Sequence, residues 1–284
     1  MSEQQEEKLT GGNVNEVVRV GDTVRRSNRP DRYVHELLLH LEKEGFHQAP
    51  RYLGIDAAGR EILSYLDGDV SGNDYPEIAS YMWSDDALTA IARLLRDYHD
   101  ATLNFSATAR PGNSYPGIGV KKKEEEMESV QAVNEEAEVI CHNDFALYNL
   151  VFKDGLPKGI IDFDLACPGP RLWDIAYTLY TCVPLATFSP QLDEGWEKSV
   201  IPYDCASHAV ARKRRIELFM EAYGLDVPPD LQQWVVSRIR FMCQTLKDRA
   251  AAGDAAFVMM VEEGHLAHYE KEVIFLEQHW QEWS

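Results

Sequence analysis

The stretch from Cys141 to Phe152, Cys-His-Asn-Asp-Phe-Ala-Leu-Tyr-Asn-Leu-Val-Phe, together with Ile-Ile-Asp-Phe-Asp at 160–164, constrains this chain more than any other. The apolar runs on either side of Lys153-Asp154-Gly155 read as two short strands joined by a turn, which predicts a hairpin. Polar residues stand at each end: His142, Asp144 and Asn149 before it, Asp162 and Asp164 after it. Asp144 and Asn149 are five positions apart (149 − 144), and Asn149 and Asp162 are thirteen apart (162 − 149). The longer spacing accommodates one strand, the turn and a return strand, so both polar ends are expected to meet. One carboxylate placed to accept a proton, beside an amide and a second carboxylate that can ligate a hard divalent cation, is a set suited to chemistry on phosphates.

The His-x-Asp-x-x-x-x-Asn spacing fits the catalytic loop of kinases. The run CHNDFALYNLVF, followed by IIDFDLACPGPRLWDIAYTL, resembles the catalytic core of the aminoglycoside phosphotransferase and choline kinase superfamily. That superfamily typically writes His-Gly-Asp; this chain has His-Asn-Asp, a departure at a residue not expected to touch the reaction. The resemblance implies an α+β, bilobal protein-kinase-like fold. A small N-terminal lobe (7–66) would hold a five-stranded antiparallel sheet and one helix and bind nucleotide. A larger, mainly helical C-terminal lobe (67–284) would carry the catalytic hairpin and bind substrate. The implied activity is that of a small-molecule kinase moving the γ-phosphoryl group of Mg-ATP or Mg-GTP to a hydroxyl. Asp144 would be the catalytic base, and Asn149 and Asp162 would hold Mg²⁺. His142 reads as a scaffold residue, and Asp174, within Leu-Trp-Asp-Ile-Ala, as an acid that bonds the catalytic-loop backbone. Asp164 is one strand step from the face of Asp162, and its role stays open. The alternative reading is a catalytically inactive kinase-like nucleotide-binding or regulatory protein.

The N-terminal part fits this frame with departures. Val14, Val18 and Val20 with Gly21-Asp22 form a hairpin pattern opened by Gly11, Gly12 and Asn13. By resemblance these three belong to a loop over the nucleotide phosphates, where glycine leaves backbone N–H groups unobstructed. The third strand, Thr23-Val24-Arg25-Arg26, lacks the lysine that kinases place there to bind phosphate and pair with a helix Glu. Arg25 aligns best, with Arg26 as the alternative. The helix from Asp31 to Gly45, striped by Val34, Leu37, Leu38 and Leu41, offers Glu36 as the arginine's partner. Strands at 51–55 and 61–66 follow. Ser64 and Leu66 fall where the resembling enzymes have the hinge whose backbone bonds the nucleotide base.

Beyond the hinge, Ser84 caps a helix to about Thr102, and His99 in it reads as a packing histidine. The charge block 121–126 reads as a solvated face. Helices are expected at 171–183, 206–223, 230–251 and 254–282. The segment from Asp254 onward carries seven acids against one base, Lys271. Acidic helical elements cradle the substrate in aminoglycoside phosphotransferases, and Glu262 and Glu263 are the corresponding expectation here.

The formal charge of −19 disfavours a nucleic-acid partner and tilts the expected acceptor toward a cation such as an aminoglycoside. Five dispersed cysteines without a Cys-x-x-Cys pair fit reduced thiols. The polar, acidic N-terminus does not read as a signal peptide, and no apolar run approaches the roughly 18 residues of a membrane span. The expectation is a cytoplasmic monomer or homodimer that meets a nucleoside triphosphate and a small-molecule acceptor, and neither nucleic acid nor membrane.

Overall fold

The structure, a computed structural model, describes residues 6–9, 17–27, 31–106, 137–191 and 200–284. The expected phosphate loop at Gly11, Gly12 and Asn13, and the charge block at 121–126, lie outside the described residues. The N-terminal lobe is an antiparallel sheet of β1 (Glu7–Lys8), β2 (Val17–Val20), β3 (Thr23–Arg26), β4 (Tyr52–Ile55) and β5 (Glu61–Ser64), in the order β1-β2-β3-β5-β4. Against it stands α1 (Arg32–Lys43), started by Asp31, whose side chain accepts a hydrogen bond from the Tyr33 N–H. Gly45 at φ 82° ends it, and Phe46 N–H returns to the Leu41 carbonyl at 2.9 Å. Its stripe of Val34, Leu37, Leu38 and Leu41 is buried, as an amphipathic period demands.

The chain leaves the sheet along residues 65–69 and is fastened to the larger lobe at once. Asp69 N–H donates to the Phe152 carbonyl at 2.7 Å and Phe152 N–H returns to Asp69 at 2.8 Å. This close approach requires glycine: a Cβ on Gly68 would lie 2.3 Å from the Phe152 oxygen.

The larger lobe begins with α2 (Asp85–Ala101), whose N-cap Ser84 accepts from the Ala87 N–H at 3.1 Å. The catalytic segment is a set of short strands. β6 (Val139–Cys141) pairs with β9 (Cys167–Gly169), and β7 (Leu150–Lys153) pairs with β8 (Leu156–Ile160). Asp154 (φ 55°) and Gly155 (φ 79°) turn the β7–β8 hairpin with two consecutive left-handed residues, the conformation that matches strand twist in a two-residue turn. The helical bulk follows as α3 (Arg171–Cys182), then a two-stranded ribbon of β10 (Phe188–Pro190) and β11 (Val200–Pro202). α4 (Cys205–Tyr223) and α5 (Leu231–Ala251) come next. The single helix expected at 254–282 is instead α6 (Ala255–Glu262) and α7 (His265–His279), broken at Gly264, which adopts φ 92°. Glycine tolerates that left-handed step, and the periodic pattern around it hid the break. One continuous core runs from Leu37 and Leu41 of α1 through Tyr98, Phe145 and Phe152 to Phe219 and Trp283.

Candidate active site

The site grows from the loop that leaves β6. His142 and Asn143 turn the chain, with Asn143 at φ 66°, a left-handed conformation that asparagine tolerates better than most residues. Asp174, fully buried near the start of α3, accepts from the His142 N–H at 2.6 Å and the Asn143 N–H at 2.8 Å. His99 of α2 lies 3.2 Å from the same carboxylate through Nε2, and its Nδ1 is 2.7 Å from the Tyr223 hydroxyl. The network assigns the proton to Nε2: His99 donates to Asp174 and accepts from Tyr223. Burial works hardest on Asp174 to raise its pKa, yet the hydrogen bond from His99, the nearby histidines and the bond from the His142 backbone outweigh it and hold the carboxyl below its usual range.

Asn143 ties the loop elsewhere as well. Its Nδ2 donates to the Leu165 carbonyl at 2.9 Å, in the segment that follows Asp162. From α5, the buried Arg238 donates to the Asn143 carbonyl at 2.6 Å, so the peptide leading into Asp144 is gripped from both sides. His142 is buried too. Its Nε2 is 3.1 Å from the Ile161 carbonyl while Nδ1 accepts from the Asp144 N–H at 3.3 Å. Burial depresses its pKa, which leaves a neutral ring acting as a brace between the two loops.

Asp144 is half-buried with both oxygens engaged. Asn149 Nδ2 donates to Oδ2 at 2.8 Å and to the Asp144 carbonyl at 3.0 Å, and the Tyr148 hydroxyl donates to Oδ1. Burial raises the Asp144 pKa although Tyr148, His142 and Asn149 pull it down. The Asn149 carbonyl accepts from the Ile161 N–H at 3.0 Å, so Asn149 stands directly beside the residue preceding Asp162. Asp162 occupies a left-handed conformation, φ 67°. Its side chain keeps 48% of its surface open. Even so, surrounding protein, then Asp164, push its pKa up to about 6, against the pull of Arg26.

From the sheet side the cleft receives Arg26. Its guanidinium spans Glu61 (Nε to Oε2, 2.9 Å), Asp162 (3.2 Å) and Asp164 (2.7 Å). Arg26 and Glu61 are direct cross-strand partners of β3 and β5. Glu61 is 3% exposed, and its other oxygen is 2.7 Å from His35 Nε2 of α1, a ring stacked on Tyr52 at 3.9 Å.

This corrects the expected Arg25–Glu36 pair. Alternation puts Arg25 on the opposite face of β3, where it bonds the Thr23 hydroxyl at 2.6 Å and lies 3.8 Å from Asp56. Glu36 bonds Arg32 on the outer face of α1 at 2.7 Å. The helix therefore presents a histidine toward the arginine, and the acid comes from the sheet. Ser64 lies inside the sheet, its N–H on the Arg51 carbonyl and its Oγ on the Arg51 N–H. The main chain of Leu66, by contrast, makes no hydrogen bond among the described residues. Glu262 and Glu263 are exposed at the C-terminal end of α6, Glu263 3.5 Å from His265. The sequence reading had no role for Glu61, His35, Tyr148 or Arg238. Tyr148 was the most legible of these, being four residues from Asp144 inside the motif.

Among the described residues no group of three or more His, Cys, Asp or Glu side chains forms a metal cage. A divalent cation shared with phosphates does not need one, since Mg²⁺ is held by one or two carboxylates with phosphate and water completing its shell. The donors present fit that description. Asn149 has its amide nitrogen committed to Asp144, which leaves its oxygen as the donor atom for a cation, and Asp162 offers a half-exposed carboxylate beside Asp164. Asp162, Asp164 and Glu61 place three carboxylates around a single guanidinium.

An antiparallel sheet with one helix, fastened to a helical lobe that carries this hairpin and cleft, is the architecture of the protein-kinase-like phosphotransferases. Solved structures share it at low sequence identity. Aminoglycoside 2′-phosphotransferase-IIIa, solved as a GDP complex, superposes with a TM-score of 0.56 at 17% identity, covering 96% of this chain and 94% of that one. Ethanolamine kinase from Plasmodium vivax gives a TM-score of 0.56 at 12% identity over 96% of this chain and 81% of its own. In sequence, the model of the phosphotransferase enzyme family matches residues 6–208. The trifolitoxin immunity protein of Rhizobium leguminosarum bv. trifolii is 34% identical over 220 residues, 76% of this chain and 73% of that protein. The chain belongs to the phosphotransferase enzyme family, and its class of reaction is phosphoryl transfer to an alcohol.

Proposed function

We propose that the protein is a small-molecule kinase that uses a Mg²⁺-bound nucleoside triphosphate. The observation that carries this reading is the placement of Asp144, Asn149 and Asp162 on one loop and one hairpin, with Arg26 reaching Asp162 and its neighbour Asp164 from the opposite lobe. Asp144 accepts the proton of the acceptor hydroxyl as its oxygen attacks the γ-phosphorus and the bond to the bridging oxygen breaks. Asn149 Oδ1 and Asp162 would hold Mg²⁺, which supplies charge neutralisation on the phosphates. Arg26, pivoting on Glu61, turns its fork toward phosphate oxygens, a geometry arginine suits. The open main chain at Leu66 is the place for the nucleotide base, and residues up to the 65–69 linker form the nucleotide-binding side. GDP and ATP complexes of structural neighbours support a nucleotide donor. Positioning and electrostatics then supply most of the acceleration.

The acceptor is a small molecule bearing a hydroxyl. The name of the immunity relative points to a toxic compound as one class of acceptor, and a cationic acceptor would feel Glu262 and Glu263 as outlying charges. The test is Asp144→Asn assayed by ADP release over a panel of aminoglycosides, amino alcohols, sugars and trifolitoxin. Turnover should fall by about 10²–10⁴-fold, the usual worth of a positioned base, with Mg-ADP affinity unchanged. Undiminished transfer by the variant would remove Asp144 from this role.

A further inference from the structure

The bond between Tyr148 and Asp144 is not explained by loop scaffolding. Asp174, Arg238, Asn143 and His142 already fix the backbone. The Tyr148 ring is packed edge-on against Tyr75 at 5.8 Å, and Phe145 and Leu147 on either side are fully buried. The hydroxyl adds something else. It donates to Asp144 Oδ1, the one carboxylate oxygen that Asn149 leaves open. Because its single proton is spent on Asp144, its oxygen must accept from Tyr177, 2.7 Å away on α3. Tyr177 is itself buried, 1% exposed, with Arg238 stacked 4.4 Å from its ring. An ordered chain, Tyr177 to Tyr148 to Asp144, therefore ends on the atom where an acceptor hydroxyl has to place its proton.

We propose that the Tyr148 hydroxyl is a positioning group that holds the acceptor's place on the base and keeps water from it. This rests on the kinase reading above and extends it to the fate of nucleotide when no acceptor is bound. A kinase with a ready base and a filled nucleotide site is exposed to a wasteful reaction. A water molecule on Asp144 Oδ1 gives its proton to the carboxylate, its oxygen attacks the γ-phosphorus, the bond to the bridging oxygen breaks, and nucleoside diphosphate and inorganic phosphate leave. Tyr148 hinders that route by filling the space beside the oxygen, where a loose water would sit, with a donor that cannot itself be brought in line, because its ring is wedged among Tyr75, Tyr177 and the buried loop. An acceptor hydroxyl, placed by its own contacts, reaches the second lone pair of that oxygen while Tyr148 stays where it is. A phenylalanine at 148 keeps the ring and leaves a hydroxyl-sized space on Asp144 that one water fills.

The experiment compares the full-length wild type, Tyr148→Phe and Tyr177→Phe. It measures phosphate release from Mg-ATP without acceptor, and Mg-ADP affinity by calorimetry. Tyr148→Phe should release phosphate roughly ten- to a hundredfold faster than wild type, the fold-change that matches loss of one hydrogen bond to a charged group. Its Mg-ADP affinity should be unchanged, so its ratio of hydrolysis to transfer rises. Tyr177→Phe leaves the Tyr148–Asp144 bond in place and removes only its support, so it should give a smaller rise of the same sign. Phosphate release at or below the wild-type rate in Tyr148→Phe, with Mg-ADP still bound, overturns the proposal. Should that variant fail to fold, an unchanged rate in Tyr177→Phe overturns it instead. Failure of the kinase reading looks different: the wild type itself would neither bind Mg-ADP nor show turnover sensitive to Asp144→Asn.

Discussion

Replacing Asp174 with asparagine changes one oxygen into an NH₂ group at a fully buried position that three donors share. The carboxylate accepts from the His142 N–H at 2.6 Å, the Asn143 N–H at 2.8 Å and His99 Nε2 at 3.2 Å. The two backbone donors approach different oxygens, so no amide rotamer serves both: one N–H must face the new NH₂. His99 can answer by changing tautomer, but then Nδ1 meets Tyr223 as a donor, and Tyr223 already receives Arg171 at 3.0 Å. A hydrogen bond to a buried charge contributes about 1.5–3 kcal/mol, and an orphaned buried donor costs about 1–3 kcal/mol. With one of each, and partial relaxation, the loss is roughly 3–5 kcal/mol. At about 2–4 °C per kcal/mol for a protein of this size, Asp174→Asn should lower the thermal midpoint by roughly 6–20 °C. Because the displaced peptide leads into Asp144, transfer should fall more than nucleotide affinity. Thermal unfolding followed by circular dichroism, beside Mg-ADP titration, measures both. A midpoint within about 2 °C of wild type would refute the idea that this carboxylate holds the loop.

Other consequences follow from the same contacts. Arg26→Ala should weaken Mg-ADP binding by about tenfold or more, and Arg25→Ala should leave it within about twofold; calorimetry on the pair decides which arginine serves the cleft. His99 and His142 are held neutral by burial, with pKa values below the usual range of about 6.5. Unfolding therefore takes up protons below that range. The histidine contribution should be full above about pH 6.5 and fall as pH drops from there, with a slope of at most about 2.7 kcal/mol per pH unit when both titrate, read from urea midpoints at successive pH values. That slope is reduced where Asp162, held up to about 6, and Asp144, also raised, take up protons in the folded state first. Asp174, held low, adds its own loss only in stronger acid. A Cβ on Gly159 would lie 2.7 Å from the Gln48 carbonyl and 2.8 Å from a Leu66 methyl. Gly159→Ala should cost about 1–3 kcal/mol as overpacking, visible as a lower thermal midpoint.

The parts of this molecule legible in sequence were those whose signal is local. The hairpin, its turn at Asp154-Gly155, the cap at Ser84 and the apolar stripe of α1 each depend on neighbours within a few residues. So does the grouping of Asp144, Asn149 and Asp162, because one hairpin brings them together. The Arg26–Glu61–His35 cluster was not legible, since it depends on strand register. Moving the pairing by one residue would exchange Arg25 for Arg26 at the cleft, and nothing in Arg25-Arg26 marks which faces inward. Glu61 carried the missing signal: it alternates with the buried Leu63 on the inner face of β5. Arg238 lay beyond reach for a different cause, its contact with Asn143 spanning 95 residues.

That long-range contact means that the boundary of family likeness is not the boundary of the working enzyme. The family model closes at residue 208, yet a guanidinium contributed by α5 clasps the peptide bond that leads into Asp144. A fragment ending at residue 208 would keep every motif residue and lose the Arg238 bond that braces the loop from behind. α5 therefore belongs to the mounting of this loop as much as the hairpin does, and a search for relatives by motif alone would overlook the half of the vice that closes from behind.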